Sequence, residues 1–127
     1  MIPENLKYSK EHEWVKVDGD TATIGITDYA QGELGDVVFV ELPPTGKQLK
    51  AMDEGAVLES VKTISHVYSP VSGTILEVNT ALATTSDIVN KDPYGTGWIF
   101  KIKMSNAGEL EALLDAAAYG DFLKQKA

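Results

Sequence analysis

The sequence predicts a mainly β fold, a sandwich or barrel, with one short internal helix and helical structure at the C-terminal end. Three observations lead there. Most of the chain consists of short β-branched and aromatic runs interrupted by Gly, Pro, Asn and Asp, the pattern of antiparallel strands joined by turns. Only the tail carries a helical apolar period. With 127 residues, 43% hydrophobic and 24% charged, the chain has material for one core and too little for two, so a single domain over residues 1–127 is expected.

Trp14-Val15-Lys16-Val17 and Thr21–Ile26 flank Asp18-Gly19, a pair that tolerates positive φ and suits a tight hairpin turn. Thr27 is placed to cap a short helical turn through Asp28, Tyr29 and Ala30, and Gly32 and Gly35 keep that turn from growing. Val37-Val38-Phe39-Val40-Glu41-Leu42 reads as a buried strand ended by Pro43-Pro44-Thr45-Gly46. Ala56–Val61 and Thr63–Tyr68 are two further strand-like runs with Lys62 between them, and Ser69–Gly73 breaks the chain before the strand Thr74–Val78. The turn cluster Asp92–Gly97 leads into Trp98–Met104, where Trp98, Phe100, Ile102 and Met104 fall on one face. Leu110, Leu113, Leu114, Ala117 and Ala118 form one stripe of a C-terminal helix, with Asn106 and Glu109 at its start and Gly120 at its end. Trp14, Phe39, Trp98, Ile99 or Phe100, and the three leucines are the expected core.

Composition narrows the function classes. Eleven lysines, no arginine and nineteen carboxylates give a formal charge of −8, the wrong sign for a phosphate backbone, so nucleic acid is not an expected partner. Such a surface instead steers association with basic patches on other proteins. No run approaches the roughly 20 apolar residues that span a bilayer, and Met1-Ile2-Pro3-Glu4-Asn5 has no basic, then apolar, leader, so a protein of the cytoplasm, or of the mitochondrial matrix after processing, is expected. With no cysteine, disulfides, thiolate metal sites and cysteine nucleophiles are excluded, and any sulfur chemistry must be brought in.

The inventory for a self-contained enzyme is thin. The two histidines are far apart, and His12, in Glu11-His12-Glu13-Trp14, has no second histidine at ligand spacing; it reads as a surface residue beside a strand. Gly95-Thr96-Gly97 lacks the spacing and lysine of a phosphate loop. Close carboxylate pairs arise by chance among nineteen acids, which leaves a small carboxylate-dependent hydrolase as a distant alternative. Lys62 differs from the other lysines in its setting, at the point where two strands must reverse. A long side chain there is reachable by a modifying enzyme while the β framework holds its base; one more exposed lysine is the plainer reading.

Glu59-Ser60-Val61-Lys62, followed by Tyr68-Ser69-Pro70-Val71-Ser72-Gly73, resembles the lipoyl-lysine hairpin of the glycine cleavage H-protein family. His12-Glu13-Trp14-Val15, Ile24–Thr27, Leu34–Pro43 and Asp92-Pro93-Tyr94-Gly95 with Gly97-Trp98 resemble its other signatures, in order, over roughly Leu6 to Leu123. The resemblance implies a barrel-sandwich hybrid of lipoyl/biotinyl type and a non-catalytic, monomeric carrier. Lys62 would be amide-linked to lipoic acid, which makes the chain one unit more negative. The implied partners are a pyridoxal-phosphate glycine decarboxylase, a folate-dependent aminomethyltransferase and dihydrolipoyl dehydrogenase, together with lipoyl-attaching enzymes. In this logic the cofactor performs the chemistry and the protein positions it. A relay carrier donating lipoyl groups to other enzymes is the alternative.

By the same resemblance Glu13 would be the carboxylate beside the folded arm; as a bare residue it reads as an exposed acid on an edge strand. Two departures from the family pattern stand out. His66 occupies a position where the family often has aspartate, making it a candidate arm contact that would repel an aminomethyl cation when protonated. Ala83–Asp87 lacks the proline common there, which leaves the shape of that loop open.

Overall fold

The computed structural model describes residues 2–126. Nine strands form two antiparallel sheets. The larger contains β1 (Lys7–Tyr8), β2 (Glu13–Asp18), β3 (Thr21–Ile26), β9 (Phe100–Met104), β8 (Gly73–Val78) and β5 (Gln48–Leu49), in that order. The smaller contains β4 (Val37–Glu41), β6 (Glu54–Ser60) and β7 (Ile64–Tyr68). Val15, Ile24, Ile75, Phe100 and Ile102 from the first sheet meet Val37, Val40, Ala56, Leu58 and Val67 from the second in one core. Two inward faces therefore bury a shared apolar layer, and the sheets do not close on each other, as the expected sandwich requires.

Three helices accompany them among the described residues: α1 (Asp28–Leu34), α2 (Ile88–Lys91) and α3 (Ala116–Lys126). Short 3₁₀ turns cover Thr80–Ala83 and Ala107–Ala112. A second cluster packs Tyr119 of α3 with Leu6, Tyr8 and Trp14, and the Trp14 indole donates to the Pro93 carbonyl at 2.8 Å. The stretch lacking proline is set by other means: Thr85 N–H bonds to Ala81 O at 2.9 Å, and Ser86 Oγ donates to Leu82 O at 2.8 Å.

Several expectations need correction. The first hairpin closes with Asp18 opposite Thr21, so its turn is Gly19-Asp20, one residue later than Asp18-Gly19, and Gly19 takes the positive φ of 66°. Gly32 lies inside α1; Gly35 alone, at φ 85°, ends it. The apolar run in β4 is not buried throughout. Phe39 and Val38 are exposed, because the smaller sheet is covered on one face only and a bulge between Val37 and Phe39 turns two successive residues outward. Trp98 is half-buried and packs with the second cluster, whereas Ile99 and Phe100 both enter the main core.

The C-terminal stripe is split between two helical segments. Leu113 is extended, at φ −88° and ψ 159°, and Leu114 forms a bridge with Tyr8 through reciprocal N–H to C=O bonds of 2.8 Å. Pairing with β1 competes with helix here and wins. A new helix starts after Asp115, whose Oδ1 accepts from Ala118 N at 2.8 Å, and Gly120 sits within it rather than ending it.

Candidate functional site

The β6–β7 hairpin reverses at Val61-Lys62-Thr63 without a glycine or a left-handed residue. Ser60 takes over that task. Its backbone N–H donates to Thr63 O at 2.8 Å, and its Oγ accepts from the N–H groups of Thr63 at 3.1 Å and Lys62 at 3.3 Å. Val61 N–H donates to Asp36 O at 3.1 Å and ties the tip to the segment after α1. Lys62 is exposed and belongs to none of the three ion pairs found among the described residues.

The stem of Lys62 lies over Gly35. A Cβ added to that glycine would stand 3.3 Å from Lys62 Cε and 3.7 Å from Cδ, so the bare backbone forms a shallow seat for the chain. From there an open cleft of about 490 Å³ runs between α1 and β7. Tyr29, Ala30 and Glu33 line one wall and Thr63 to His66 with Tyr68 the other, while Glu11 and His12 contribute from the loop before β2.

Glu13 begins β2, which has β1 on one side and β3 on the other, so it is not an exposed acid on an edge strand. It is 1% exposed. Oε1 accepts from Ser9 Oγ at 2.5 Å, and Oε2 accepts from the backbone N–H of Tyr68 on β7 at 3.2 Å. The carboxyl thus stands behind the cleft and joins the two sheets. Burial pushes its pKa up to about 8, against the hydrogen bonds of Ser9 and Tyr68 that favour the anion; the nearby Glu11 charge adds to the rise.

His66 faces the cleft from β7, with Nδ1 3.5 Å from Glu54 Oε1 and its ring 6.5 Å from that of Tyr68. His12 is not the surface residue its sequence setting suggests. It is half-buried, with Nδ1 2.8 Å from Tyr119 Oη and its ring 4.7 Å from Tyr29. Lys62, His66 and Glu13 are therefore brought to one region. The supporting roles of Ser60, Gly35 and Tyr119 escape a reading of sequence; a serine two residues before a lysine was the only available hint for the first.

The glycine cleavage H-protein family model matches residues 6–126, nearly the whole described chain. The chain belongs to the glycine cleavage H-protein family. It is 55% identical over 124 residues to the glycine cleavage system H protein of Symbiobacterium thermophilum, covering 98% of this chain and 97% of that one. The glycine cleavage system H protein of Thermus thermophilus is 52% identical over 126 residues, with 99% and 98% covered. A crystal structure of the glycine cleavage system H protein from Mycobacterium marinum matches with a TM-score of 0.86 at 37% identity, covering 98% of each chain.

Membership fixes the role. The chain is a non-catalytic carrier that shuttles the aminomethyl group of glycine within the glycine cleavage system, and the family bears its lipoyl group on a lysine. The P, T and L proteins of that system are the partners the family implies. No helix among the described residues is long and apolar enough to cross a membrane.

The residues present fit such a group. An amide-linked arm needs an accessible primary amine, a seat for its first carbons and a surface beside it; Lys62, Gly35 and the adjoining cleft supply these.

Proposed function

We propose that Lys62 is the lysine that bears the lipoyl group, and that the whole chain, residues 1–127, works as one carrier domain. The observation that carries this reading is the unpaired, exposed amine at a tip held by Ser60 and Asp36, with its stem lying over Gly35. When bound, the group supplies the disulfide and dithiol chemistry that a cysteine-free chain lacks.

The chain's own residues provide the shelter. Glu11 and Glu33 set carboxylates at the cleft, which favours a cationic amine there over an anion. Glu13 acts from behind by holding the Tyr68 backbone. His66 contacts the arm in place of a carboxylate, with Glu54 Oε1 3.5 Å from its Nδ1. Tyr29 and the buried surface of α1 keep water from one side of the arm.

In this reading the protein acts as a monomer and is itself the substrate of lipoyl-attaching enzymes, and the bacterial source of its relatives supports a cytoplasmic setting. The test is acylation of the full chain by a lipoate ligase, followed by intact mass and peptide mapping. The expected result is one lipoyl addition confined to Lys62. Addition at another lysine, or none under conditions that modify an established carrier, overturns the assignment.

A further inference from the structure

α1 has seven residues, and an isolated helix of that length is unstable in water, where roughly 12–15 residues are needed even for good helix formers. It nevertheless forms one wall of the cleft and supplies, at Gly35, the seat for Lys62. Something outside it must hold it. At its C-terminal end Asn90 does so: Nδ2 donates to Gly35 O at 2.8 Å and to Gln31 Oε1 at 3.1 Å, while Oδ1 accepts from Val37 N at 2.8 Å.

At the N-terminal end the anchor comes from α3. Thr27 caps the helix by accepting from Ala30 N at 3.2 Å, and its own N–H donates to His12 O at 3.0 Å. Tyr119 Oη lies 2.7 Å from Thr27 Oγ1 and 2.8 Å from His12 Nδ1. These contacts close a ring: His12 meets Thr27 directly through the backbone and again through the phenol. His12 holds a left-handed φ of 69°, a conformation uncommon outside glycine. That geometry lets its carbonyl and ring engage partners on two different elements. Tyr119 is wholly buried and stacks on Tyr8 with centroids 4.7 Å apart, so its hydroxyl has no solvent to fall back on.

We propose that Tyr119 is a positioning residue of the carrier site: its hydroxyl locks the C-terminal helix to the Thr27 cap and to His12, and thereby fixes the α1 wall against which the arm lies. The part of this claim that concerns the arm rests on attachment at Lys62; the part that concerns α1 does not.

Tyr119→Phe separates the two. The ring and its stack on Tyr8 remain, and only the hydroxyl contacts go. In the full unmodified chain, amide exchange at Ala30 and Gln31 is expected to accelerate about five-fold, as loss of one hydrogen bond's net stabilisation implies, with Ala22 and Ile102 in the large sheet unmoved. Thr27→Val breaks the same contact and removes the Ala30 cap as well, so it should accelerate exchange further, and adding Tyr119→Phe to it should change Ala30 and Gln31 less than Tyr119→Phe does in the wild type. Tyr8→Phe, which removes a hydroxyl bonded to Pro3 O in the same cluster, should leave Ala30 and Gln31 at the wild-type rate. In the lipoylated, loaded protein, Tyr119→Phe should release its cargo to water a few-fold faster while Lys62 is lipoylated to the same extent.

Unchanged exchange in α1, or equal acceleration throughout the large sheet, overturns the positioning role. So does faster exchange with cargo retention unaltered. A wild-type chain that takes no lipoyl group at Lys62 would overturn the attachment site instead and leave the exchange result to decide Tyr119.

Discussion

The β2–β3 hairpin reverses through Gly19 and Asp20 with Gly19 at φ 66°, whereas the β6–β7 hairpin reverses through Val61, Lys62 and Thr63 with no left-handed residue. The first lies within the six-stranded sheet, flanked by β1 and β9, and its turn projects nothing of chemical use. The second ends the three-stranded sheet, and β7 has a free edge that forms a wall of the cleft. Glycine gives a cheap turn but leaves the backbone permissive. At the tip that carries Lys62, the four hydrogen bonds that Ser60 makes with the backbone of Lys62 and Thr63, and one from Val61 N–H to Asp36 O, replace it. A carrier arm needs a long mobile side chain on an immobile root, and this division of labour supplies that root.

The largest expected effect breaks the contrast at its functional end. Lys62→Arg keeps charge and approximate length but offers no primary amine, so the lipoyl mass shift and glycine cleavage in a reconstituted system should both vanish. As an exposed substitution it should alter stability by no more than about 0.5 kcal/mol, measured by urea unfolding.

Glu13 links the two hairpins, since it starts β2 and grips Tyr68 at the end of β7. Its folded pKa of about 8 lies above the ordinary 4.5, so the native state holds a proton that the unfolded chain has lost across that interval. Stability should therefore be fullest below pH 4.5 for this group, and fall as pH rises toward 8. Glu13→Gln should abolish that slope, leaving the variant more stable than wild type by a few kcal/mol above pH 8, as read from urea midpoints across the range.

Paired substitutions at the two turns sharpen the comparison. Ser60→Ala and Gly19→Ala should each cost about 1 kcal/mol, one through lost acceptors and the other through backbone strain. Only Ser60→Ala should also slow enzymatic lipoylation, because it alone loosens the root of Lys62. Equal lipoylation rates in the two variants would remove the case for a fixed tip. The smallest effect is expected from His66→Asp, which adds a carboxylate to the cleft and should slow cargo release about two-fold, the scale of one exposed charge pair.

The position of Lys62 was legible in sequence because two strand-like runs abut on it with no room for anything but a reversal, and Thr27 and Gly35 declare the ends of α1 by their capping chemistry. The burial of Glu13 was not. A carboxylate beside a histidine reads as surface, and nothing local shows that β7 crosses over it and offers the Tyr68 N–H. Phe39 misleads in the opposite sense, since its apolar neighbours suggest a core that a bulge and an uncovered sheet face deny it.

Local patterning thus determined the strand-rich architecture, the first hairpin, the cap of α1 and the lysine at a tip, because turn geometry and side-chain alternation act within a few residues. The tertiary structure alone decided where the tail helix breaks, which acid is buried, and that His12 and Tyr119, 107 residues apart, share a hydrogen bond. Those outcomes depend on which surfaces meet across the core, and energy of that kind belongs to pairs of distant segments rather than to either one.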